Sequence, residues 1–378
     1  MSMSGSQSGA SQGPQVVVVG AGCIGLTTAV ELLERKYSVL VLADHLPGDP
    51  LVADYASSAA GAHHLSFADD KDWRQRYFDQ RTFDRLWTES EEADIGAAKG
   101  LMRLTQTELY KGDTHLRFME GLPDFRILEE RQRPKSVDHA VAFTSLTIEP
   151  SRYLRYLVEI VERLGGEIKR VEPLCKLADA RGHAPDAKAV VNCTGLGSRH
   201  LEDVCDQTIR PVRGQVLALK APWVKTGHTR QIGSLSGGEG GERTYVIPRA
   251  SGEVIVGGTR EIDDWERNPR PETTADILRR AVEICPQLAN PRGAGETIDL
   301  RSILQAEVVG FRPTRDAGIR LEPGTLSLDG GSRHLAVVHN YGHGGYGWQS
   351  MWGCAEEAAK IVGEEMRRQS PPVYKAKL

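Results

Sequence analysis

VVVVGAGCIGLTTAVELLERKYSVLVLAD, residues 16–44, is the stretch on which the fold turns. Val16 to Val19 form a β-branched run of the kind found in a strand buried on both faces. Leu26, Ala29, Val30 and Leu33 then recur on one stripe of a helix that reaches Arg35. Val39-Leu40-Val41-Leu42-Ala43 is a second buried strand, closed by Asp44. Between the first strand and the helix stand Gly20, Gly22 and Gly25, a G-x-G-x-x-G whose flanking order makes it a dinucleotide fingerprint rather than a chance spacing. Gly20 permits the tight turn, Gly22 lets a pyrophosphate approach the backbone, and Gly25 lets helix and strand pack closely. Ala21, Cys23 and Ile24 complete the turn, and the helix start offers N–H groups and positive partial charge to phosphates. Asp44 is placed to accept hydrogen bonds from a ribose diol. The motif does not choose between NAD and FAD.

The rest of the composition narrows the class. The chain has 378 residues, room for two domains, with 40% hydrophobic and 26% charged residues, as in ordinary globular proteins. A net charge of −4 leaves no basic footprint for nucleic acid, and no run of eighteen apolar residues suggests a membrane span. The six cysteines are dispersed without a CxxC pair, so neither a zinc site nor a disulfide framework is expected, and buried reduced thiols are the simpler reading. Residues 1–13 are small and polar and read as a disordered leader. The chain closes on Ala376-Lys377-Leu378, a variant of the Ser-Lys-Leu peroxisomal address, preceded by Pro371-Pro372, which would keep it exposed.

Further along, 55–66 is small and polar, and 69–135 is charged and reads mostly as helix or loop. SRYLRYLVEIVERLGG, from 151, predicts an amphipathic helix with Ser151 as cap and Gly165-Gly166 as its end. Ala189-Val190-Val191-Asn192 predicts a strand that runs into the turn holding Thr194 and Gly195. VRGQVLALK, RTYVIPR and GEVIVGGTR, between 212 and 260, predict adjacent antiparallel strands with turns at 238–241 and Ser251-Gly252. A helix over 273–288, a strand over 335–340 and a helix over 352–368 follow.

At 337–355 the chain reads VVHNYGHGGYGWQSMWGCA. This segment resembles the signature of the D-amino-acid oxidase family, which includes D-aspartate oxidases. Val337, Val338, His339, Asn340, Tyr341, Gly342, Gly344, Gly345, Gly347, Gly353 and Ala355 fall at its expected positions. SAAGAHH at 58–64, VNCTGLGS at 191–198, RGQVL at 213–217, TYVIP at 244–248, GGTREIDDW at 257–265 and GFRPTR at 310–315 extend the resemblance over nearly the whole chain. It implies an α/β fold: a Rossmann-like FAD-binding domain assembled from 14–55, 141–215 and 296–368, and a mixed-sheet substrate-binding domain from 56–140 and 216–295, with 369–378 as tail. The implied cofactor is FAD, contacted by the fingerprint residues, Asp44, Ser57, Ser58, Gly61, Thr194, Gly195 and the loop Gly342, Gly344, Gly345, Tyr346, Gly347, Trp348, Gln349. The implied reaction is oxidative deamination of a D-amino acid by oxygen, giving a 2-oxo acid, ammonia and hydrogen peroxide. The peroxisomal ending is typical of the family, with an import receptor as partner, and members are often homodimers, though no interface is legible here.

The resemblance gives Arg312 the substrate α-carboxylate, gripped by the guanidinium fork, with the Tyr245 hydroxyl donating to the same group. No dedicated acid–base residue is implied. Arg260 stands where D-aspartate oxidases place Arg and general D-amino-acid oxidases mostly place an apolar or aromatic residue. A second buried cation needs an anion, which an acidic substrate supplies; alternatively Arg260 pairs with Glu261 or Asp263 and the site takes neutral substrates. His63, or its neighbour His64, is placed to assist at that end, or both are structural. From the residues themselves, a nucleotide-binding protein without turnover and an NAD-dependent dehydrogenase also stay open.

Overall fold

The order read from residues 16–44 forms: a strand over Val16–Val19, a helix over Cys23–Glu34 and a strand over Val39–Ala43. The structure is a computed structural model that describes residues 15–66, 68, 71–112, 117–233, 241–291, 297–328 and 333–369. The expected leader, the turn at 238–240 and the Ala376-Lys377-Leu378 ending lie outside the described residues.

Those two strands sit inside a six-stranded sheet ordered Arg320–Leu328, Arg333–Tyr341, Ala189–Asn192, Val16–Val19, Val39–Ala43, Glu167–Arg170. Its pairs are parallel except the edge pair of Arg320–Leu328 with Arg333–Tyr341. Successive side chains of a strand point to opposite faces, and here both faces are covered. Val16, Val18, Val39 and Val41 pack under the helices Cys23–Glu34, Pro150–Arg163 and Gly347–Gln369, while Val17, Val19, Leu40 and Leu42 pack on Leu177 and Ala180. Burial on both faces explains why these strands read as unbroken apolar runs.

The second sheet is mixed. It runs Glu261–Ile262, Ile209–Lys220, Glu253–Gly257, Glu242–Pro248, Gly227–Ile232, Leu101–Lys111, His139–Ile148, His63–His64, with Leu304–Arg315 also paired to Ile209–Lys220. The helix Pro271–Ile284 packs its apolar face on one side of it, through Ile277, Ala281 and Ile284. The three antiparallel strands expected between 212 and 260 pair as expected.

Several expectations change. His139–Ile148, Ile209–Lys220 and Leu304–Arg315 belong to the second sheet, although boundaries at 141, 216 and 296 put them wholly or partly with the first. The 69–135 region holds helices Trp73–Glu89 and Ala93–Lys99 but also the eleven-residue strand Leu101–Lys111. Ser151 is not a cap: Glu149 occupies that position and Pro150 opens the helix, its fixed φ suited to the first turn. Four cysteines are buried, but Cys175 and Cys205 are exposed. Among the described residues no helix is long and apolar enough to cross a membrane, and no cluster of His, Cys, Asp or Glu is arranged to hold a metal.

Candidate active site

A cavity of about 510 Å³ runs from the glycine turn at the end of Val16–Val19 to the face of the second sheet. At its first end, three glycines are held by space. Gly20 has φ +112°, and a Cβ there would lie 2.4 Å from the Cys193 carbonyl oxygen. A Cβ on Gly25 would lie 1.9 Å from the Gly20 oxygen, so this glycine serves the helix–strand crossing and does not itself line the cavity. Gly22 precedes the helix without offering a capping side chain, and the first turn holds no acidic residue. The helix start therefore faces the cavity with its positive end uncompensated by carboxylates, a setting for phosphate. Ser57 Oγ accepts from the Cys23 amide at 3.0 Å and steadies that turn. Burial pushes the Cys23 thiol up to about 11, so it faces the turn as a neutral group. Asp44 lines the cavity at the end of the next strand, as a ribose contact requires.

The middle of the cavity is lined by Thr194 and Gly195 and by the loop Gly342–Gly347, where a second helix, Gly347–Gln369, begins. Gly344, with φ +53°, lets the chain reverse, and its amide donates to the Pro313 oxygen at 2.9 Å. Trp348 Nε1 donates to the Ser57 oxygen at 3.1 Å, and Gln349 Nε2 donates to the Leu65 oxygen. Both residues line the cavity, but those side-chain N–H groups tie down the 57–65 segment. Ser58 does the same locally through its hydroxyl on the Tyr55 oxygen and does not line the cavity. Two helix starts, a glycine approach between them and Asp44 beyond fit an elongated dinucleotide such as the FAD the resemblance implies.

At the far end the segment Gly258-Thr259-Arg260 locates three side chains at once. A Cβ on Gly258 would lie 2.4 Å from the Tyr245 hydroxyl, so the tyrosine lies flat on the backbone there. Thr259 accepts from Arg312 Nη1 at 3.0 Å, and a Cβ on Gly214 would lie 2.6 Å from both terminal nitrogens of Arg312. The guanidinium is thus laid across one backbone and anchored by one edge to another. Arg260 comes next and lines the same cavity. The acids suggested as its partners are engaged elsewhere: Glu261 with Arg213 and Arg270, Asp263 with Arg210.

The structure also separates the two histidines. His63 lines the cavity, and burial beside Arg243 lowers its pKa to about 3, so it is neutral there. His64 turns away, its Nε2 3.1 Å from the Asp79 oxygen. Tyr55, Arg243, Trp265 and His343 are among the lining residues that the sequence reading did not single out. Arg243 had a signal, because it stands two residues before Tyr245 on one strand and so shares its face. His343 lies inside the glycine-rich loop; burial lowers its pKa to about 3, and it too is neutral.

The family model described as FAD dependent oxidoreductase matches residues 15–361. A D-aspartate oxidase of Cryptococcus neoformans var. grubii serotype A is 48% identical, over 93% of this chain and 97% of that protein. A D-amino-acid oxidase of Fusarium vanettenii is 34% identical, over 92% of this chain and 96% of that one. Among solved structures, glycine oxidase from Geobacillus kaustophilus superposes with a TM-score of 0.66 at 16% identity, covering 95% of each chain.

Proposed function

The chain belongs to the family of FAD-dependent oxidoreductases, and on that premise we propose that it deaminates D-amino acids oxidatively, with preference for acidic ones such as D-aspartate and D-glutamate. The observation that carries the acidic preference is the gathering of Arg243 and Arg260, beyond the Arg312–Tyr245 pair, on one cavity. Two guanidinium groups on one cavity give that end a positive potential, which favours a substrate carrying a second carboxylate over one with a neutral side chain. An acidic side chain gives them an anion.

Bound FAD supplies the acceptor for the hydride leaving the substrate Cα and the route for its two electrons to oxygen, which becomes hydrogen peroxide. The chain supplies the rest. Gly20, Gly22 and the start of Cys23–Glu34 would hold the pyrophosphate, Asp44 a ribose, and the Gly342–Gly347 loop the ring system. Arg312, bonded to Thr259, and Tyr245, packed on Gly258, would grip the α-carboxylate and so fix where Cα points. His63, neutral, offers a hydrogen bond rather than a charge to the far carboxylate. The carboxylates that line the cavity, Asp44, Asp54 and Glu172, are not given a role at the substrate. The α-amino group must be neutral for its lone pair to assist hydride departure; its proton is lost to water before that step, and no side chain is assigned to take it.

Peroxide release with D-aspartate, D-glutamate, D-alanine and D-proline tests both levels. D-aspartate is expected to lead D-alanine in kcat/KM by about tenfold to a hundredfold, the worth of a charge-assisted hydrogen bond. Arg260→Tyr should erase that lead. Equal rates in the parent would sink the acidic preference, and no peroxide with any of the four would sink the activity.

The ending Ala376-Lys377-Leu378 is proposed as a peroxisomal address read by an import receptor. A fluorescent fusion ending at Lys375 should stay in the cytosol; continued entry into peroxisomes would refute the assignment.

A further inference from the structure

We propose that Glu108 is a positioning residue for substrate selection: it holds Arg243 at the substrate end of the cavity and so sets how strongly the site favours a D-amino acid with a side-chain carboxylate. The proposal rests on the acidic-substrate reading above. Glu108 lies on Leu101–Lys111, two strands from Tyr245, and one cross-strand row joins them: Glu108 stands opposite Thr229, and Thr229 opposite Tyr245. Side chains in such a row share a face of the sheet. Arg243, two residues before Tyr245, shares that face as well and reaches back, its Nη2 3.7 Å from Glu108 Oε2.

Glu108 is fully buried, while the Arg243 side chain keeps 14% of its surface. A buried carboxylate persists only with partners; here Oε1 accepts a hydrogen bond, while Oε2 accepts none and faces the Arg243 guanidinium alone. Gln106 Nε2 donates to Oε1 at 2.7 Å and also reaches Thr229 Oγ1 at 3.0 Å. With Oε1 tied, the carboxylate cannot rotate away from Arg243. The ion pair is wider than a hydrogen bond, so Glu108 acts on the guanidinium by charge rather than by a direct hydrogen bond. Burial raises the Glu108 pKa, and Arg243 opposes that rise without cancelling it. A counter-charge behind a cavity-facing cation keeps that cation in place before substrate arrives.

Steady-state kinetics of the FAD-loaded Glu108→Gln enzyme with D-aspartate and D-alanine test this. The expected result is a D-aspartate KM about tenfold higher, with kcat and the D-alanine KM moving by less than about twofold. Glu108→Asp, which keeps the charge, should fall between. In an Arg243→Met background Glu108→Gln should no longer shift the D-aspartate KM, because the partner through which it acts is gone. An unchanged or lower D-aspartate KM overturns the proposal, as does an equal loss on both substrates with reduced flavin content, the mark of a merely structural acid. A parent enzyme that prefers D-alanine refutes the acidic reading, and this proposal with it; a parent that prefers D-aspartate while Glu108→Gln is silent overturns this proposal alone.

Discussion

Arg312→Leu is expected to lower kcat/KM for every D-amino acid by roughly a hundredfold to ten-thousandfold while leaving the purified protein yellow. The factor follows from two charge-assisted hydrogen bonds of about 1.5–3 kcal/mol each at 1.36 kcal/mol per tenfold. The size depends on preorganisation. Arg312 Nη1 is bound to the Thr259 oxygen at 3.0 Å and weakly to the Arg213 oxygen at 3.4 Å, and the guanidinium plane rests on Gly214. One edge is spent on the protein, so the other is aimed before substrate arrives and little ordering remains to be done. Leu cannot bind the carboxylate, and with orientation lost both KM and kcat should suffer. Arg312→Lys should rescue little, since an ammonium cannot reproduce a planar fork. Tyr245→Phe, which removes one neutral donor, should cost only about tenfold. Ordinary substrate affinity in Arg312→Leu would sink the assignment.

What could be read from the sequence follows the physics of burial. Strands buried on both faces, such as Val16–Val19 and Ala189–Asn192, are apolar throughout and declare themselves. Leu101–Lys111 does not. Its buried side holds Leu104, Gln106, Glu108 and Tyr110, and two of those four are polar because they sit under the substrate end of the cavity. The alternation that marks a strand is erased where function has put hydrogen-bonding groups in the core. Gly227–Ile232 was missed for the same reason: its buried Thr229 and Gln231 carry no apolar signal. Sheet membership is hidden along the chain for another cause. Ile209–Lys220 and Leu304–Arg315 pair with each other in the second sheet, and only the pairing partner, nearly a hundred residues away, decides to which sheet a strand belongs. Gly22, Asp44, Tyr245, Arg260 and Arg312, picked out along the chain, all line one cavity. Local motifs report the side chains a ligand needs. They are silent on the polar layer behind those side chains, where Glu108 and Gln106 lie.

The three fingerprint glycines, alike in sequence, should behave differently when replaced. Gly20 has a left-handed backbone and no room, and Gly25 has no room, so a side chain at either must displace main chain, and the protein should not fold well. Gly22 has φ −75° and ψ −178°, an extended conformation open to any residue. Its nearest obstacle is a side-chain atom: a Cβ would lie 2.7 Å from Ser57 Oγ. Gly22→Val should therefore fold, with Ser57 pushed aside and its bond to the Cys23 amide lost. The new methyl groups would stand over the helix start, where the pyrophosphate must come within hydrogen-bond reach of main-chain N–H groups. Losing one such phosphate contact and the Cys23–Ser57 tether costs about 3 kcal/mol, roughly a hundredfold in FAD affinity. The variant should melt cooperatively, purify colourless, and show no peroxide release unless FAD is added in large excess. Stoichiometric FAD in purified Gly22→Val would mean that the dinucleotide does not pass over this turn. An unfolded variant would mean that Ser57 cannot give way, which a Gly22→Val/Ser57→Gly double variant would relieve if the obstacle is the serine alone.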